Sequence, residues 1–216
     1  MELLYQDSQI VLCVKSVGLS SEAGPGSLPA LLENQLGGPV YPVHRLDLNV
    51  GGVMVYARTH GAASALSRAV QAGELQKEYL ALIHGCPTPP AGTWEDLLWK
   101  DSAKNKVFVV RRMRKGVKPA KLAYRILEEN ASLALVHIRL YTGRSHQIRV
   151  QFASRGLPLV GDHKYGSRDE ARSPALWSFR LSLPHPVTGK TITCQHPPEG
   201  ELWYPFPAIS REIPLW

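Results

Sequence analysis

Short segments in which apolar and polar residues alternate recur along most of the chain, whereas stretches with helical periodicity are few and widely spaced. Alternation with a period of two is typical of strands that bury one face. The clearest case spans residues 133–141, where every second residue from Ala134 to Leu140 is apolar. Many strands with few helices predict an α+β fold, with one domain over residues 1–216 built on a mostly antiparallel sheet.

Turn residues and capping residues set the limits of the individual elements. The predicted strands cover residues 3–5, 10–14, 53–57, 78–84, 106–112, 122–128, 133–141 and 191–194. Helices are predicted over 29–35, over 64–71 with Gly73 as the stop, and from about Ser145 to Gly156.

The composition excludes several classes of protein. The 216 residues carry a formal net charge of +7 and are 44% hydrophobic, which is typical of a folded chain and not of a disordered one. No apolar run reaches the roughly 18 residues of a membrane span, and the N-terminus lacks a signal-peptide pattern. Cys13, Cys86 and Cys194 are too far apart to indicate a disulfide framework. We therefore expect a cytoplasmic protein.

The positive charge is concentrated in one part of the sequence. Residues 100–155 contain 14 Lys and Arg but only three acidic residues, a local balance of +11, while the remainder has a balance of −4. A basic region of this kind favours a polyanionic partner, most often a nucleic acid. The alternative is a solvated basic surface that serves solubility.

Several common catalytic signatures are absent. The sequence has no P-loop, no glycine-rich dinucleotide fingerprint and no HExxH motif. The scattered residues His44, Asp47, His146 and His163 could hold a metal ion only by coincidence of folding. A metal-dependent nucleic-acid hydrolase is therefore the weakest of the functions considered, and we expect no metal and no cofactor.

Two segments combine Arg, His and small residues at the ends of predicted strands, where functional groups are commonly displayed. The first is Tyr41-Pro-Val-His-Arg-Leu-Asp-Leu-Asn-Val-Gly-Gly-Val53, and the second is Tyr141-Thr-Gly-Arg-Ser-His-Gln-Ile-Arg-Val-Gln151. The second continues through Gly156-Leu-Pro-Leu-Val-Gly-Asp162 to Tyr165-Gly166.

These segments resemble the RluA-type RNA pseudouridine synthases, which isomerise uridine to pseudouridine. Residues 44–47 match the family's HRLD motif, 76–81 match its K-x-Y segment, and 142–149 match TGRxHQ[IL]R. The G-x-P-[LI]-x-GD-x-x-YG pattern follows, and Lys118-Pro119-Ala120 fits the shorter KPA element. The motifs keep their order over roughly residues 1–196, and three in order are a far more specific signal than one.

The chain also departs from the family pattern. Leu48-Asn-Val-Gly-Gly52 stands where x-x-T-S-G is usual, and Val14-Lys-Ser-Val-Gly18 stands where N-K-P-x-G is usual. Gln151 and Trp177 occupy positions where the family commonly has His. The resemblance therefore implies a divergent branch of the family.

The resemblance implies roles for individual residues. Asp47 would be the catalytic carboxylate, acting either as a nucleophile or as the base of an elimination. Arg149 would be its cationic partner, Arg45 would fill the space left by the flipped uridine, and Tyr79 would stack on or act upon that base. The residues themselves leave simpler readings open: a turn cap for Asp47, a phosphate clamp for Arg149 and a core aromatic for Tyr79.

The remaining candidates are structural supports or RNA contacts. They are His44, Arg144, His146 and Gln147 in the motifs, and Lys104, Lys106, Arg111, Arg112, Arg114 and Lys115 on a predicted backbone-binding face. The resemblance implies a large mixed, mostly antiparallel sheet, RNA as the partner, and either transfer RNA or 23S-type large-subunit ribosomal RNA as the substrate. We expect a monomer without the S4-type module of some relatives. A non-catalytic RNA-binding or RNA-folding protein that keeps this fold is the alternative.

Overall fold

The computed structural model describes residues 1–211 and 213–216, and the chain divides into two compact units. The first unit contains Met1–Lys77 and Trp177–Pro198, and the second contains Glu78–Leu176 and Glu199–Trp216. The strands are β1 (Leu3–Gln6), β2 (Ile10–Lys15), β3 (Tyr41–Pro42), β4 (Gly51–Ala57), β5 (Gln76–His84), β6 (Ala91–Asp101), β7 (Lys106–Val110), β8 (Val117–Glu129), β9 (Leu133–Leu140), β10 (Leu176–Pro184) and β11 (Thr191–Gln195). The helices are α1 (Leu28–Leu36), α2 (His60–Gln71) and α3 (Gln147–Ala153), with short 3₁₀ turns at His163–Tyr165 and Pro207–Ser210.

The first unit is organised around a mixed sheet. Its strands follow the order β1-β2-β4-β10, with β11 paired to β10 and β3 paired to β4. The β4–β10 pair is parallel, and the other pairs in this unit are antiparallel. Helix α2 covers this sheet because Ala62 and Leu66 pack into the cluster that contains Val53 and Val55.

The second unit is built from β5, β9, β8, β6 and β7, in that order. The β9–β8, β8–β6 and β6–β7 pairs are antiparallel. Leu98, Val107 and Ala120 form a buried cluster with Val150 of α3, so this helix covers one face of the sheet. We call this the α3 face, and the other side the opposite face.

The structure confirms the predicted fold class, an α+β arrangement with a mixed, mostly antiparallel sheet and few helices. That residues 1–216 form one domain stays a prediction. Strand β6 was not predicted, because Asp96-Leu97-Leu98-Trp99 interrupts its alternation. Strand β10 was missed because most of its residues are buried on both faces, which removes the alternating pattern.

Helix α2 begins four residues earlier than predicted. The hydroxyl of Thr59 accepts a hydrogen bond from the backbone N–H of Ala62 at 3.1 Å, so the helix is capped there and not near Ser64. Among the residues that the structure describes, none of the helices has the length and apolar character needed to cross a lipid bilayer.

Candidate active site

The loop that carries Asp47 is fixed by backbone and side-chain contacts from the N-terminal segment. Asp47 itself is half-buried and opens a turn in which its carbonyl oxygen accepts from Val50 N–H at 3.0 Å. The N–H of Gly18 donates to the Leu48 carbonyl at 2.9 Å, and the Ser21 hydroxyl donates to the Leu46 carbonyl at 2.9 Å. Residues on both sides of the carboxylate are therefore held in place.

Lys15 supplies the strongest of these anchors. Its side chain is fully buried at the end of β2, and its ammonium group donates to the carbonyls of Ser16, Leu19 and Leu48 at 3.0, 2.7 and 3.1 Å. Burial lowers the pKa of Lys15 to about 8, and the negative charge of Asp47 opposes this shift. A buried cation thus lies under the Asp47 loop.

His44 is a support of the same loop. Its Nε2 accepts a hydrogen bond from the backbone N–H of Val55 at 3.1 Å, so the proton of the neutral ring is on Nδ1. Burial, together with the positive charge of Lys77, lowers the pKa of His44 to about 3. The sequence left His44 as either a structural support or an RNA contact. A neutral imidazole that is bonded to the backbone of β4 has the geometry of a structural support.

The side chain of Arg45, unlike that of His44, is exposed to solvent. Its Nη1 lies 3.1 Å from Oε1 of Glu22, and both side chains are more than half exposed. An ion pair at this level of exposure contributes little to stability.

Two of the departures from the family pattern are neighbours in the first unit. Gly51 of β4 is the register partner of Trp177 of β10. A Cβ atom added to Gly51 would lie 2.3 Å from the Trp177 ring, so the indole occupies the space of a side chain at position 51. At Gly52, φ is +116° and an added Cβ would lie 2.3 Å from the Ser178 carbonyl oxygen. The bulky Trp177 therefore requires a residue without a side chain at position 51.

In the second unit, Tyr79 lies on β5 and is only 6% exposed. The preceding residue, Glu78, has its side chain on the other side of the strand, where its carboxylate accepts from His137 Nε2 at 2.7 Å. Since His137 Nδ1 accepts from Arg125, the imidazole is neutral and links a carboxylate to a guanidinium. This buried network fixes β5 beside Tyr79.

Arg149 projects from the first turn of α3 into a buried ion pair. Its Nε and Nη2 donate to the two oxygens of Asp162 at 2.7 and 2.8 Å. Both side chains are buried, and the guanidinium also lies over the Tyr165 ring, 5.2 Å from its centroid. A bidentate pair of this kind fixes the plane as well as the position of the arginine.

Tyr165 joins this group to the sheet and to His146. Its hydroxyl oxygen accepts from the backbone N–H of Val107 at 2.9 Å and shares a 2.9 Å hydrogen bond with His146 Nδ1. Asp162 and Tyr165 were not among the predicted site residues. The signal was present, because both belong to the GD-x-x-YG pattern that follows the second motif.

The glycine turn before α3 is held by Gln147. Its Oε1 accepts from the Thr142 hydroxyl at 2.8 Å and from the Arg144 backbone at 3.0 Å, and its Nε2 donates to the Lys121 carbonyl at 3.1 Å. Arg144 donates from Nε to the Pro119 carbonyl at 2.9 Å. Gln147 and Arg144 thus tie the turn to β8, and whether they also contact RNA stays a prediction.

The six basic candidates lie at the ends of β6, β7 and β8. Lys104 is exposed in the β6–β7 turn, and Lys106 begins β7. The other four candidates, Arg111, Arg112, Arg114 and Lys115, are exposed in the β7–β8 connection. The described part of the chain contains no cluster of three or more His, Cys, Asp or Glu side chains placed to hold a metal ion.

The fold is shared with a solved human protein. It aligns with the solved human RNA Pseudouridylate Synthase Domain Containing 4 over 99% of this chain and 95% of that one, with a TM-score of 0.81 and 24% identity. A family model described as RNA pseudouridylate synthase matches residues 9–154. The chain therefore belongs to the RNA pseudouridylate synthase family.

Two curated relatives extend the comparison to specific proteins. The dual-specificity RNA pseudouridine synthase RluA of Escherichia coli is 34% identical, with 90% of this chain and 92% of the relative covered. The ribosomal large subunit pseudouridine synthase D of Haemophilus influenzae is 31% identical over 89% of this chain. The chain spans 65% of the length of that second relative. Family membership confirms the resemblance drawn from the motifs.

Proposed function

We propose that this protein is an RNA pseudouridine synthase that converts specific uridines of transfer RNA or of 23S-type ribosomal RNA to pseudouridine. The C1′–N1 bond breaks, the uracil turns, and a C1′–C5 bond forms. The proton on C5 is then lost and N1 gains one, so the reaction is an isomerisation that needs no cofactor or metal. The name of one relative specifies the large ribosomal subunit and that of the other a dual specificity for RNA, which supports RNA as the substrate. We further propose that the protein acts as a cytoplasmic monomer.

The observation that carries the proposal is the fixed loop of Asp47. A carboxylate that acts as nucleophile or base needs a defined position. The bonds from Lys15, Gly18 and Ser21 to the backbone around Asp47 meet this need. The family resemblance assigns the same residue as the catalytic carboxylate.

Three further residues complete the proposed mechanism. Arg149, whose guanidinium is oriented by Asp162, is the cationic partner that the family resemblance assigns to Asp47. Arg45 enters the RNA stack in place of the flipped uridine, which requires it to leave Glu22. Tyr79 acts on the uracil, and its burial on β5 keeps its position constant.

The test is tritium release from RNA labelled at uridine C5, with wild type compared with Asp47→Asn. Transfer RNA and ribosomal RNA are supplied as separate pools, ideally from cells that lack the gene. C5 loses its hydrogen only when the base is reattached there, so release reports the isomerisation. We expect release with the wild type and none with Asp47→Asn, and the responding pool names the substrate class. Tight, salt-sensitive RNA binding without release from either pool would favour the non-catalytic alternative.

A further inference from the structure

The sheet face opposite α3 carries aromatic side chains that the proposed catalytic mechanism does not use. Residues paired directly across neighbouring strands point to the same face, and Trp99 of β6 is paired with Phe108 of β7 and with Val117 of β8. The adjacent residue Leu98 belongs to the cluster under α3. Because neighbours along a strand alternate in direction, Trp99 and Phe108 lie on the opposite face.

Two groups on this face combine a partly exposed ring with a cation. The Trp99 and Phe108 rings lie 6.2 Å apart at 30°, and the Arg114 guanidinium lies 5.2 Å from the centre of the Trp99 ring. The second group is Tyr141, which is 48% exposed and has Lys121 and Arg139 at 5.6 and 5.4 Å from its ring. A ring that can stack on a base, beside a cation that can contact a phosphate, is typical of single-strand nucleic-acid binding.

The two groups are connected by the geometry of β8. Lys121, beside Tyr141, shares its side of β8 with Val117, the partner of Trp99. With ~3.3 Å per residue along a strand and ~4.8 Å between strands, the two aromatic groups are about 16 Å apart. They are thus separate stacking positions for an extended strand and not one pocket for one base.

Lys106 connects the opposite face to the α3 face. It lies on β7, the last strand in the order of this unit's sheet, with Nζ 5.9 Å from the Phe108 ring and 5.2 Å from the Tyr165 ring. Tyr165 in turn contacts Arg149. A polyanion that passes the Arg149 group can therefore continue round the edge of β7 with a cation along its path.

The charge of this region fits a polyanion. Beside the two ring groups lie Glu95, already paired with Lys121 at 2.7 Å, and Asp101 at the end of β6, while Glu78 on the same side of the sheet is buried against His137. The cations on or beside the face are Lys106, Arg111, Arg112, Arg114, Lys115, Lys121 and Arg139. This combination of cations and exposed rings favours a partner that has both negative charge and planar groups that can stack on the rings. An ordinary protein surface does not offer both. A-form duplexes keep their bases stacked inside, so single-stranded RNA is the occupant that can use the rings.

We propose that the face formed by Trp99, Phe108 and Tyr141 is a second RNA-binding surface, which holds single-stranded nucleotides that flank the modified region. This second proposal depends on the proposed function in one respect only, namely that the substrate is RNA. It predicts that RNA with a single-stranded extension binds better than a bare stem-loop. Substrate choice would then depend partly on residues away from Asp47.

The first test measures binding to the full-length protein of a fluorescein-labelled, single-stranded oligouridylate. We expect Trp99→Leu and Tyr141→Leu each to weaken binding about tenfold, because one stacked base is lost. Trp99→Phe should recover most of the affinity, since it keeps a ring. Tyr204→Leu is the matched control, because Tyr204 is 75% exposed and belongs to none of the strands that form the face. Tyr141→Leu removes a ring that is half exposed, so it tests the surface even if Trp99→Leu fails to fold.

The second test separates this surface from catalysis. The KM for a stem-loop with single-stranded extensions is divided by the KM for the same stem-loop without them. Trp99→Leu should raise this ratio about tenfold, and Tyr204→Leu should leave it at the wild-type value. If no RNA is turned over but oligouridylate binding depends on Trp99, the surface stands and the proposed function fails. Binding by Trp99→Leu and Tyr141→Leu equal to wild type, or an equal loss with Tyr204→Leu, would overturn the surface.

Discussion

Replacing Lys15 with methionine removes the buried cation beneath the Asp47 loop while keeping a side chain of similar length. The three carbonyl oxygens of Ser16, Leu19 and Leu48 then lose this donor. Because Leu48 is the residue after Asp47, loss of the hydrogen bond to its carbonyl frees the backbone next to the catalytic carboxylate. The carboxylate of Asp47 should then lose its fixed position. We expect catalysis to fall about 100-fold, the size of effect that a small misplacement of a catalytic group can cause.

The effect on stability depends on pH, and its sign follows from the pKa of Lys15. The pKa is about 8 in the folded protein, against 10.5 for an ordinary lysine. Below about pH 8 the group is protonated in both states, so stability does not change with pH through this group. Between about 8 and 10.5 the unfolded chain binds more protons, so this lysine makes the wild type more stable as pH rises. With ~1.4 kcal/mol per pKa unit the full increment is about 3 kcal/mol.

The assay is urea unfolding of wild type and Lys15→Met at pH 7 and near pH 10.5. Groups common to both proteins, such as the buried Cys13, contribute equally and cancel in the difference. The free energy of unfolding of the wild type should gain about 3 kcal/mol relative to the variant over this range. A difference that stays constant with pH would refute the reasoning that Lys15 is a buried, protonated group at neutral pH.

Four other outcomes follow from the structure. Arg149→Lys keeps the charge but loses the bidentate contact with Asp162, so tritium release should fall about 100-fold; near-normal turnover would contradict the pairing. Tyr79→Phe should lower kcat at least ~100-fold, whereas equal kcat values would make Tyr79 a packing residue. Gly51→Ser should destabilise the protein by about 1–3 kcal/mol through collision with Trp177, and Trp177→His in the same chain should restore the loss in urea unfolding. If about five basic side chains contact phosphates, log K for single-stranded RNA should fall with log salt at a slope near −3.5, and a flat response would remove this claim.

The sequence was most informative where local pattern and tertiary environment agree. The alternating strand β9 and the turn before α3 could be predicted because one face is buried and the turn is rich in capping residues. Strand β10 could not, because Ser178 and Arg180 are buried among apolar neighbours and break the usual pattern. Local pattern has no information about burial that depends on a distant segment.

The same limit applies to the candidate site. The motifs located Arg149, but its ion pair with Asp162 depends on how the chain folds back after α3. Lys15 appeared only as part of a weakened N-terminal motif, and its three carbonyl partners are revealed only by the turns around it. The identity of each site residue could be predicted from the motif, whereas its partner depends on how distant segments meet in the folded chain.

The contact between Gly51 and Trp177 restricts the order in which this branch of the family could acquire its two unusual residues. If Trp177 had appeared while position 51 still carried a side chain, its ring would have lain 2.3 Å from the Cβ atom of that residue. If Gly51 appeared first, the change left only a small void. Gly51 is therefore the permissive change and Trp177 the later one. Once Trp177 was present, position 51 could no longer regain a side chain without colliding with the indole, so the later change made the glycine obligatory.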